Sequence, residues 1–206
     1  MNQDRAALSR YDATYQAAMR DADKVPWAEG RPKPLLADWL GAADIRGDGR
    51  RALVVGSGLG DDAEALAARG FAVTAFDLSP TAIAWTHERF PDSAVSYHVA
   101  DLFDLPADWQ RAFDLVVEIY TLQSLPPTIR PEAMDRVAAL VAPGGELLVI
   151  CRGREEHEPA PGPPYPLSRA ELRRLESGGL AEREAVDRLD DETPPVRRFR
   201  LLYRRG

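Results

Sequence analysis

The sequence has few of the residues that build disulfides and metal centres. Its 206 residues include one cysteine, Cys151, and three histidines, which are scattered at positions 87, 98 and 157. A single cysteine excludes an intrachain disulfide, and this scatter matches none of the spacings typical of a zinc site. We therefore expect no bound metal and no need for an oxidising compartment.

Long apolar runs and an excess of positive charge are also missing. No run approaches the roughly 20 apolar residues of a transmembrane helix, and no basic segment followed by an apolar one opens the sequence. The net charge is −7, whereas nucleic-acid-binding proteins carry a basic surface. We expect a cytoplasmic protein with a small-molecule partner, no nucleic acid and no membrane, as a monomer or weak homodimer.

Strand-like and helix-like segments alternate from residue 51 onward. Five apolar runs have the length of buried strands: 51–55, 71–76, 94–100, 113–119 and 146–152. Three helix-like stretches separate them: 61–69, 79–90 and 130–141. The second opens with a Ser N-cap followed by Pro80, and Pro143, Gly144 and Gly145 stop the third. This order is typical of parallel strands joined by crossovers. It predicts an α/β fold with a doubly wound, mostly parallel seven-stranded sheet, helices on both faces, and an antiparallel C-terminal hairpin at 180–189 and 196–204.

Both ends of the chain depart from this alternation. Residues 3–22 carry Tyr11 and Tyr15 at helical spacing and predict a helix, whereas residues 154–166 contain five prolines and predict a loop. A capping-box spacing then predicts a helix from Ser168 to about residue 176. Because no repeat or linker is visible, we predict a single domain over 1–206. Within it, 1–33 form an N-terminal helix and lid, and 34–206 form the catalytic core.

A glycine-rich loop follows the first predicted strand. Gly56, Gly58 and Gly60 allow a tight turn and a close approach to a ligand at the start of the next helix. A dinucleotide motif would place its third glycine at 61, where Asp61 would oppose a pyrophosphate. The spacing therefore favours a cofactor without phosphate, which we expect to contact the three glycines and Ser57.

Acidic residues follow the second and third predicted strands. Asp77 stands 17 residues after Gly60, where doubly wound folds place the acid that accepts hydrogen bonds from ribose hydroxyls. Asp101 is suited to accept the exocyclic amine of adenine. Either residue can instead be a simple cap of the following turn or helix. The predicted apolar contacts to the cofactor are Leu78, Leu102 and Phe103.

The ordered set Gly56-x-Gly58-x-Gly60, Asp77, Asp101 and residues 113–118 resembles the class I S-adenosylmethionine-dependent methyltransferases. The resemblance covers about residues 50–152 and implies S-adenosylmethionine as cofactor. That family often has an acid two residues before the first glycine, and this chain has Val54 there. The difference implies weaker cofactor binding or another group in that role.

Two further segments resemble the thiopurine methyltransferase-like group, which includes thiol and methyl halide transferases. Residues 26–30, Pro-Trp-Ala-Glu-Gly, resemble its Pro-Trp-x-x-Gly segment, whose tryptophan lies against the cofactor. Residues 162–167 resemble the segment that lines its substrate side. The resemblance implies methyl transfer to a small sulfur, selenium or halide nucleophile, with Trp27 at the cofactor and Tyr165 at the substrate.

The remaining candidates include residues that follow the fourth and fifth strands. Glu118 is the candidate general base and a further cofactor contact, although a merely capped or solvated carboxylate is an equal interpretation. Tyr120 and Arg152 are predicted to contact the substrate, as is Tyr15 in the lid segment. Two alternative functions stay open: an O- or N-methyltransferase of a metabolite, and a non-catalytic S-adenosylmethionine-binding module.

Overall fold

The computed structural model describes residue 4, residues 7–42 and residues 44–206. The chain divides into two compact units, residues 1–105 and residues 106–206. The prediction of a single domain, with a boundary between residues 33 and 34, stays a prediction.

The first unit contains a small parallel sheet and four described α-helices. Its strands are β1 (Arg51–Val55), β2 (Ala72–Asp77) and β3 (Ser96–Val99), in the order β3-β2-β1 and all parallel. Its helices are α1 (Ser9–Ala18), α2 (Pro34–Ala42), α3 (Asp61–Ala67) and α4 (Pro80–Arg89), with a 3-10 helix at Ala22–Lys24. The predicted helix at 3–22 thus contains α1, and its residues 3, 5 and 6 lie outside the described residues.

Local sequence explains where these helices begin. Ser79 caps α4, because its Oγ accepts a hydrogen bond from the Ala82 N–H at 2.9 Å, and Pro80 occupies the first turn, as predicted. Helix α2 has no counterpart among the predicted helices. Leu36 and Leu40 lie on its buried face, so burial of apolar side chains stabilises it.

The second unit contains five strands. They are β4 (Phe113–Ile119), β5 (Val141–Arg154), β6 (Leu167–Ser168), β7 (Leu180–Leu189) and β8 (Arg197–Arg205). The order is β4-β5-β8-β7, with β6 paired to β5. β5 is parallel to β4, whereas β8 is antiparallel to both β5 and β7. The α-helices are α5 (Arg130–Leu140), α6 (Arg169–Leu172) and α7 (Arg174–Ser177), and two 3-10 helices lie at Ala107–Trp109 and Leu122–Ser124.

The strands of the first unit are parallel, and those of the second unit are mixed and end in an antiparallel hairpin, which confirms the predicted α/β fold class. The described residues give eight strands where seven were predicted, because the two-residue β6 lies just after the predicted proline-rich loop. The predicted helix from Ser168 is split into α6 and α7. Its capping box is present: Ser168 Oγ accepts from the Glu171 N–H, and Glu171 Oε2 accepts from the Ser168 N–H.

Strand β5 is longer than predicted. It begins at Val141, immediately after α5, and runs through Pro143, Gly144 and Gly145, which the sequence suggested as a simple helix stop. Its register against β4 shifts between Phe113 and Leu115, so this first part of β5 is an irregular, bulged segment. None of the helices in the described ranges combines the length and apolarity that crossing a bilayer requires.

Gly60 allows a test of how strictly the loop is constrained. Its φ is +92°, and a Cβ there would lie 2.7 Å from the Tyr97 hydroxyl and 2.8 Å from Thr86 Cγ2. We expect Gly60→Ala to lower the free energy of unfolding by about 2 to 4 kcal/mol, from backbone strain plus overpacking. Urea unfolding measures this change.

The matched control is Gly30→Ala. Gly30 also has a positive φ, +64°, but a Cβ added there would have no neighbour within 4 Å. The substitution should cost only about 1 to 2 kcal/mol, the backbone contribution alone. Equal losses in the two variants would show that close packing around Gly60 is unimportant.

Candidate cofactor and substrate site

The glycine loop joins β1 to α3. Gly56 and Gly58 have φ values of +64° and +54°, a conformation that favours glycine. Two backbone hydrogen bonds fix the loop. The Ser57 N–H donates to the Phe76 carbonyl of β2 at 2.9 Å, and the Gly60 N–H donates to the Ser57 carbonyl at 3.0 Å. The sequence pattern thus produces a defined turn at the start of α3.

Asp77 connects this loop to the start of α4. One carboxylate oxygen accepts a hydrogen bond from the Gly58 N–H and the other accepts one from the Ser79 N–H, both at 2.9 Å. Burial raises the pKa of Asp77 above its ordinary value. Each oxygen has a second lone pair, so the carboxylate can still accept from ribose hydroxyls. The residue is therefore both a structural bridge and a suitable ligand group.

The two acids that open α3 have partners within the protein. Asp61 forms a two-point pair with the Arg89 guanidinium, with both N–O distances at 2.8 Å. Asp62 accepts a hydrogen bond from the Lys33 N–H at 2.8 Å, and burial raises its pKa to about 6. Asp61 stands where a dinucleotide motif would have its third glycine, and its carboxylate is paired with Arg89.

The N-terminal segment places Tyr15 and Trp27 beside the loop. The Trp27 Nε1–H donates to the Tyr15 hydroxyl at 2.7 Å, and the two rings meet edge to face with centroids 5.5 Å apart. Tyr15 is only 3% exposed, and a Cβ on Gly58 would lie 3.1 Å from its hydroxyl oxygen. The structure thus brings both predicted residues to the glycine loop, and the role of Tyr15 at the substrate stays a prediction.

Two side chains that the sequence did not single out fix this segment, Asp12 and Lys33. On α1, Asp12 accepts hydrogen bonds from the Ser79 hydroxyl at 2.6 Å and the Thr81 N–H at 3.1 Å. Burial tends to raise the pKa of Asp12, but these hydrogen bonds outweigh burial and lower it. Lys33 Nζ donates to the Trp27 carbonyl at 2.8 Å. A lone acid or lysine gives no sequence signal for such distant partners.

The other predicted cofactor residues follow β2 and β3. Asp101 Oδ1 accepts from the Phe103 N–H at 2.9 Å, so the turn cap that the sequence left open is present. Leu102 and Phe103 are buried, whereas Leu78 is 40% exposed. Contact of these residues with a cofactor stays a prediction.

Glu118 lies within β4 in the second unit. Its Oε1 accepts from the Leu122 N–H at 2.8 Å, and its Oε2 is buried without a hydrogen-bond partner in the described part of the chain. The residue is fully buried, and this burial raises its pKa to about 7. Glu118 therefore stabilises the turn after β4, and half of its carboxylate is available for a further donor.

Gln123 connects two of the predicted substrate residues. Its side-chain oxygen accepts from the Arg152 N–H at 2.5 Å, and its carbonyl accepts from the Tyr165 N–H at 2.7 Å. Tyr120, at the start of the same turn, has a φ of +64°, and the Arg198 guanidinium lies 5.2 Å from its ring centre. No role for Gln123 was predicted from the sequence, because a buried glutamine carries no recognisable motif.

Charged partners surround the remaining candidates. The Arg152 guanidinium lies 3.8 Å from Glu192, and Arg198 binds Asp190 at 2.6 Å as well as Glu192. Tyr165 lies under the guanidinium of Arg130, 5.4 Å from its ring centre. Arg152 is thus loosely paired in comparison with Arg198.

The residues of the first unit fit S-adenosylmethionine. The loop contains a buried hydroxyl, Ser57 Oγ, without a hydrogen-bond partner in the described residues. Asp77 provides a carboxylate at the end of β2, and the Tyr15 hydroxyl is the one described atom within 4 Å of a Cβ built on Gly58. This set offers hydroxyl donors and one carboxylate, which suits a nucleoside with ribose and amino-acid groups and no phosphate.

Comparison with solved structures places the fold in a class. The chain superposes on a Burkholderia thailandensis 1,6-didemethyltoxoflavin-N1-methyltransferase with a TM-score of 0.74, covering 98% of this chain and 90% of that one at 17% identity. The likeness shows a Rossmann-like methyltransferase fold. Residues 16–200 match the family model of thiopurine S-methyltransferase, and the chain belongs to that family. The predicted family, enzyme class and S-adenosylmethionine cofactor are thereby confirmed.

Curated relatives carry related activities. The chain is 29% identical over 157 residues to a probable thiol methyltransferase 2 of Arabidopsis thaliana, a match that covers 75% of this chain and 68% of the relative. It is 30% identical over 149 residues to a ubiquinone biosynthesis O-methyltransferase of Azotobacter vinelandii, covering 71% and 62%. The second match spans less than two thirds of the relative's own length.

Glu118 gives the second unit a testable pH dependence. Its pKa is raised from 4.5 to about 7 on folding, so between these values the folded protein holds a proton that the unfolded chain has lost. Its contribution to stability therefore falls as the pH rises through this window. From pH 5 to pH 8, the wild type should lose about 2 to 3 kcal/mol of unfolding free energy relative to Glu118→Gln.

Urea unfolding of both proteins at the two pH values measures this difference. Glutamine can still accept from the Leu122 N–H, so the turn is retained. Glu146→Gln, on the neighbouring strand β5, controls for the loss of a carboxylate and should track the wild type at both pH values. A constant difference between wild type and Glu118→Gln would contradict the assignment of a buried, protonated Glu118.

Proposed function

We propose that the protein transfers a methyl group from S-adenosylmethionine to a small nucleophile at sulfur, selenium or a halide. Membership of the thiopurine S-methyltransferase family and the likeness to a thiol methyltransferase support this proposal. The observation that carries it is the Asp77 carboxylate, which is fixed against the glycine loop through the Gly58 N–H.

The first unit is proposed to bind the cofactor. Asp77 accepts from the ribose hydroxyls, and Gly56, Ser57, Gly58 and Gly60 form the backbone surface under it. Trp27 packs against the cofactor, as do the apolar residues Leu78, Leu102 and Phe103. Asp101 accepts a hydrogen bond from the adenine amine. When bound, S-adenosylmethionine supplies an electrophilic methyl group on its sulfonium. The side chains around it then have to orient the acceptor and exclude water.

The second unit is proposed to contact the acceptor through Tyr120, Arg152 and Tyr165. Gln123 holds the backbone of the last two residues. Glu118, whose carboxylate accepts from the Leu122 N–H in the turn after β4, is fully buried. A thiol needs only deprotonation from a pKa near 8.5 and a halide needs none, so positioning alone suits such acceptors.

An O-methyltransferase of a small metabolite is the second candidate function. The likeness to a ubiquinone biosynthesis O-methyltransferase favours it, and so does the unpartnered Oε2 of Glu118, whose pKa near 7 suits a general base. In that case Glu118 would accept the proton of the acceptor hydroxyl. This candidate requires the acceptor to reach a fully buried side chain.

The wider expectations belong to the same proposal. The net charge of −7 supports a partner other than nucleic acid, and we retain a cytoplasmic monomer or weak homodimer as the expected form. Residues 1–33 are proposed as the lid. Two hydrogen bonds support this role, because Asp12 joins the segment to Ser79 at the start of α4 and the Lys33 N–H joins it to Asp62 of α3.

Asp77→Asn tests the cofactor assignment. Losing the charge should weaken binding of S-adenosylhomocysteine by about 1.5 to 3 kcal/mol, roughly 10- to 100-fold, the range for hydrogen bonds to a charged group. Isothermal titration calorimetry measures the affinity, and Asp104→Asn in the exposed turn after β3 is the control. Unchanged affinity in a folded Asp77→Asn protein would show that Asp77 only caps the following helix. Tight binding of NAD in place of S-adenosylhomocysteine would overturn the assignment of the cofactor.

A panel of acceptors tests the substrate class. Methyl-labelled S-adenosylmethionine is incubated with small thiols, selenite, iodide, phenols and amines, and label is followed into each product. We expect transfer to the soft nucleophiles, with Glu118→Gln retaining most of the rate because no base is required. Transfer confined to phenols or amines, lost in Glu118→Gln, would establish the second candidate instead.

A further inference from the structure

The hydroxyl of Tyr15 is a buried donor without an acceptor. Its oxygen accepts from Trp27 Nε1 at 2.7 Å, and this is its only hydrogen bond within the described residues. The side chain is only 3% exposed, so the unused O–H is shielded from bulk solvent. Buried hydroxyls are normally satisfied, and one that is not marks a position where a ligand group can bind.

The position of this hydroxyl points to the cofactor. A Cβ on Gly58 would lie 3.1 Å from it, which places it directly over the glycine loop. Burial, and then the negative charge of Asp77, raises the pKa of Tyr15, so the phenol keeps its proton and acts as a donor. Trp27 fixes the ring from the side, because it donates into the phenol oxygen and leaves the proton free.

Three N–H groups of the loop are already in use. Those of Ser57, Gly58 and Gly60 bind Phe76, Asp77 and Ser57 respectively. The donors that remain at the loop include two hydroxyls, Tyr15 Oη and the buried, unpartnered Ser57 Oγ. An anionic group placed here can therefore accept hydrogen bonds from these two side-chain hydroxyls.

Val54 changes what the site can recognise at the amino-acid end of the cofactor. It is 3% exposed and part of the β1 core, so no acid stands two residues before Gly56 to bind the ammonium group. A phenol O–H donor cannot bind an ammonium through its proton, but it suits a carboxylate well. Asp77 is assigned to the ribose, which leaves the carboxylate as the acceptor for Tyr15.

We propose that Tyr15 is a cofactor-binding residue whose hydroxyl, with that of Ser57, donates to the carboxylate of S-adenosylmethionine. This inference rests on the proposed function and replaces the predicted role of Tyr15 at the substrate. The protein then recognises the amino-acid end of its cofactor through the carboxylate, and the acid missing at Val54 is not required.

The test combines a side-chain deletion with a ligand truncation. Binding of S-adenosylhomocysteine and of methylthioadenosine, which lacks the amino-acid end, is measured by calorimetry for the wild type and Tyr15→Phe. Tyr15→Phe should lower the affinity for S-adenosylhomocysteine by about 10- to 100-fold and leave the affinity for methylthioadenosine unchanged. Tyr11→Phe is the matched control: its ring also packs edge to face on Trp27, with centroids 5.6 Å apart, and both ligands should bind as to the wild type.

The outcomes separate this inference from the proposed function. If wild-type protein binds neither ligand, the proposed function itself fails. If the wild type binds S-adenosylhomocysteine and Tyr15→Phe weakens both ligands equally, the hydroxyl acts through Trp27 packing or the ribose and the inference is wrong. If Tyr15→Phe changes neither affinity but raises the KM of the acceptor, Tyr15 belongs to the substrate, as its sequence position suggested.

Discussion

The hydrogen bonds of the Asp77 carboxylate are the interaction on which the first unit depends. One oxygen holds the Gly58 N–H of the glycine loop and the other holds the Ser79 N–H at the start of α4. Ser79 in turn donates its hydroxyl to Asp12 of α1. One carboxylate therefore links the loop, the following helix and the N-terminal segment, so a ligand that contacts Asp77 acts on all three.

The regular part of this arrangement could be predicted from the sequence. Apolar runs of strand length indicated β1, β2 and β4, and the Ser-Pro pair indicated the start of α4, because strand burial and helix capping are local effects. The glycine spacing and Asp77 indicated the loop and its acid. Helix α2 and the bulged start of β5 could not be predicted, since they depend on packing partners distant in sequence.

The side chains that surround the candidate site were less predictable for the same reason. Tyr15 was recognised, but its hydroxyl lies over Gly58 through a fold contact between residues 43 positions apart, which no spacing rule describes. Gln123 and Asp12 act through hydrogen bonds with backbone or hydroxyl groups that are distant in sequence. Polar contacts of this kind are specified by the three-dimensional structure, and a single sequence carries no periodic signal for them.

Asp77 and Glu118 show how two buried carboxylates can differ in chemical use. Burial raises the pKa of both, but both oxygens of Asp77 accept backbone N–H groups, whereas Glu118 has one oxygen without a partner among the described residues. The two backbone N–H groups fix both oxygens of Asp77 in position, and each oxygen can accept a further hydrogen bond from a hydroxyl. Glu118 has a pKa near 7 and can exchange a proton near neutral pH. The fixed hydrogen-bond acceptor, Asp77, therefore lies in the first unit, and the group with an exchangeable proton, Glu118, lies in the second. A methyl acceptor that needs no base would leave Glu118 with a structural role only.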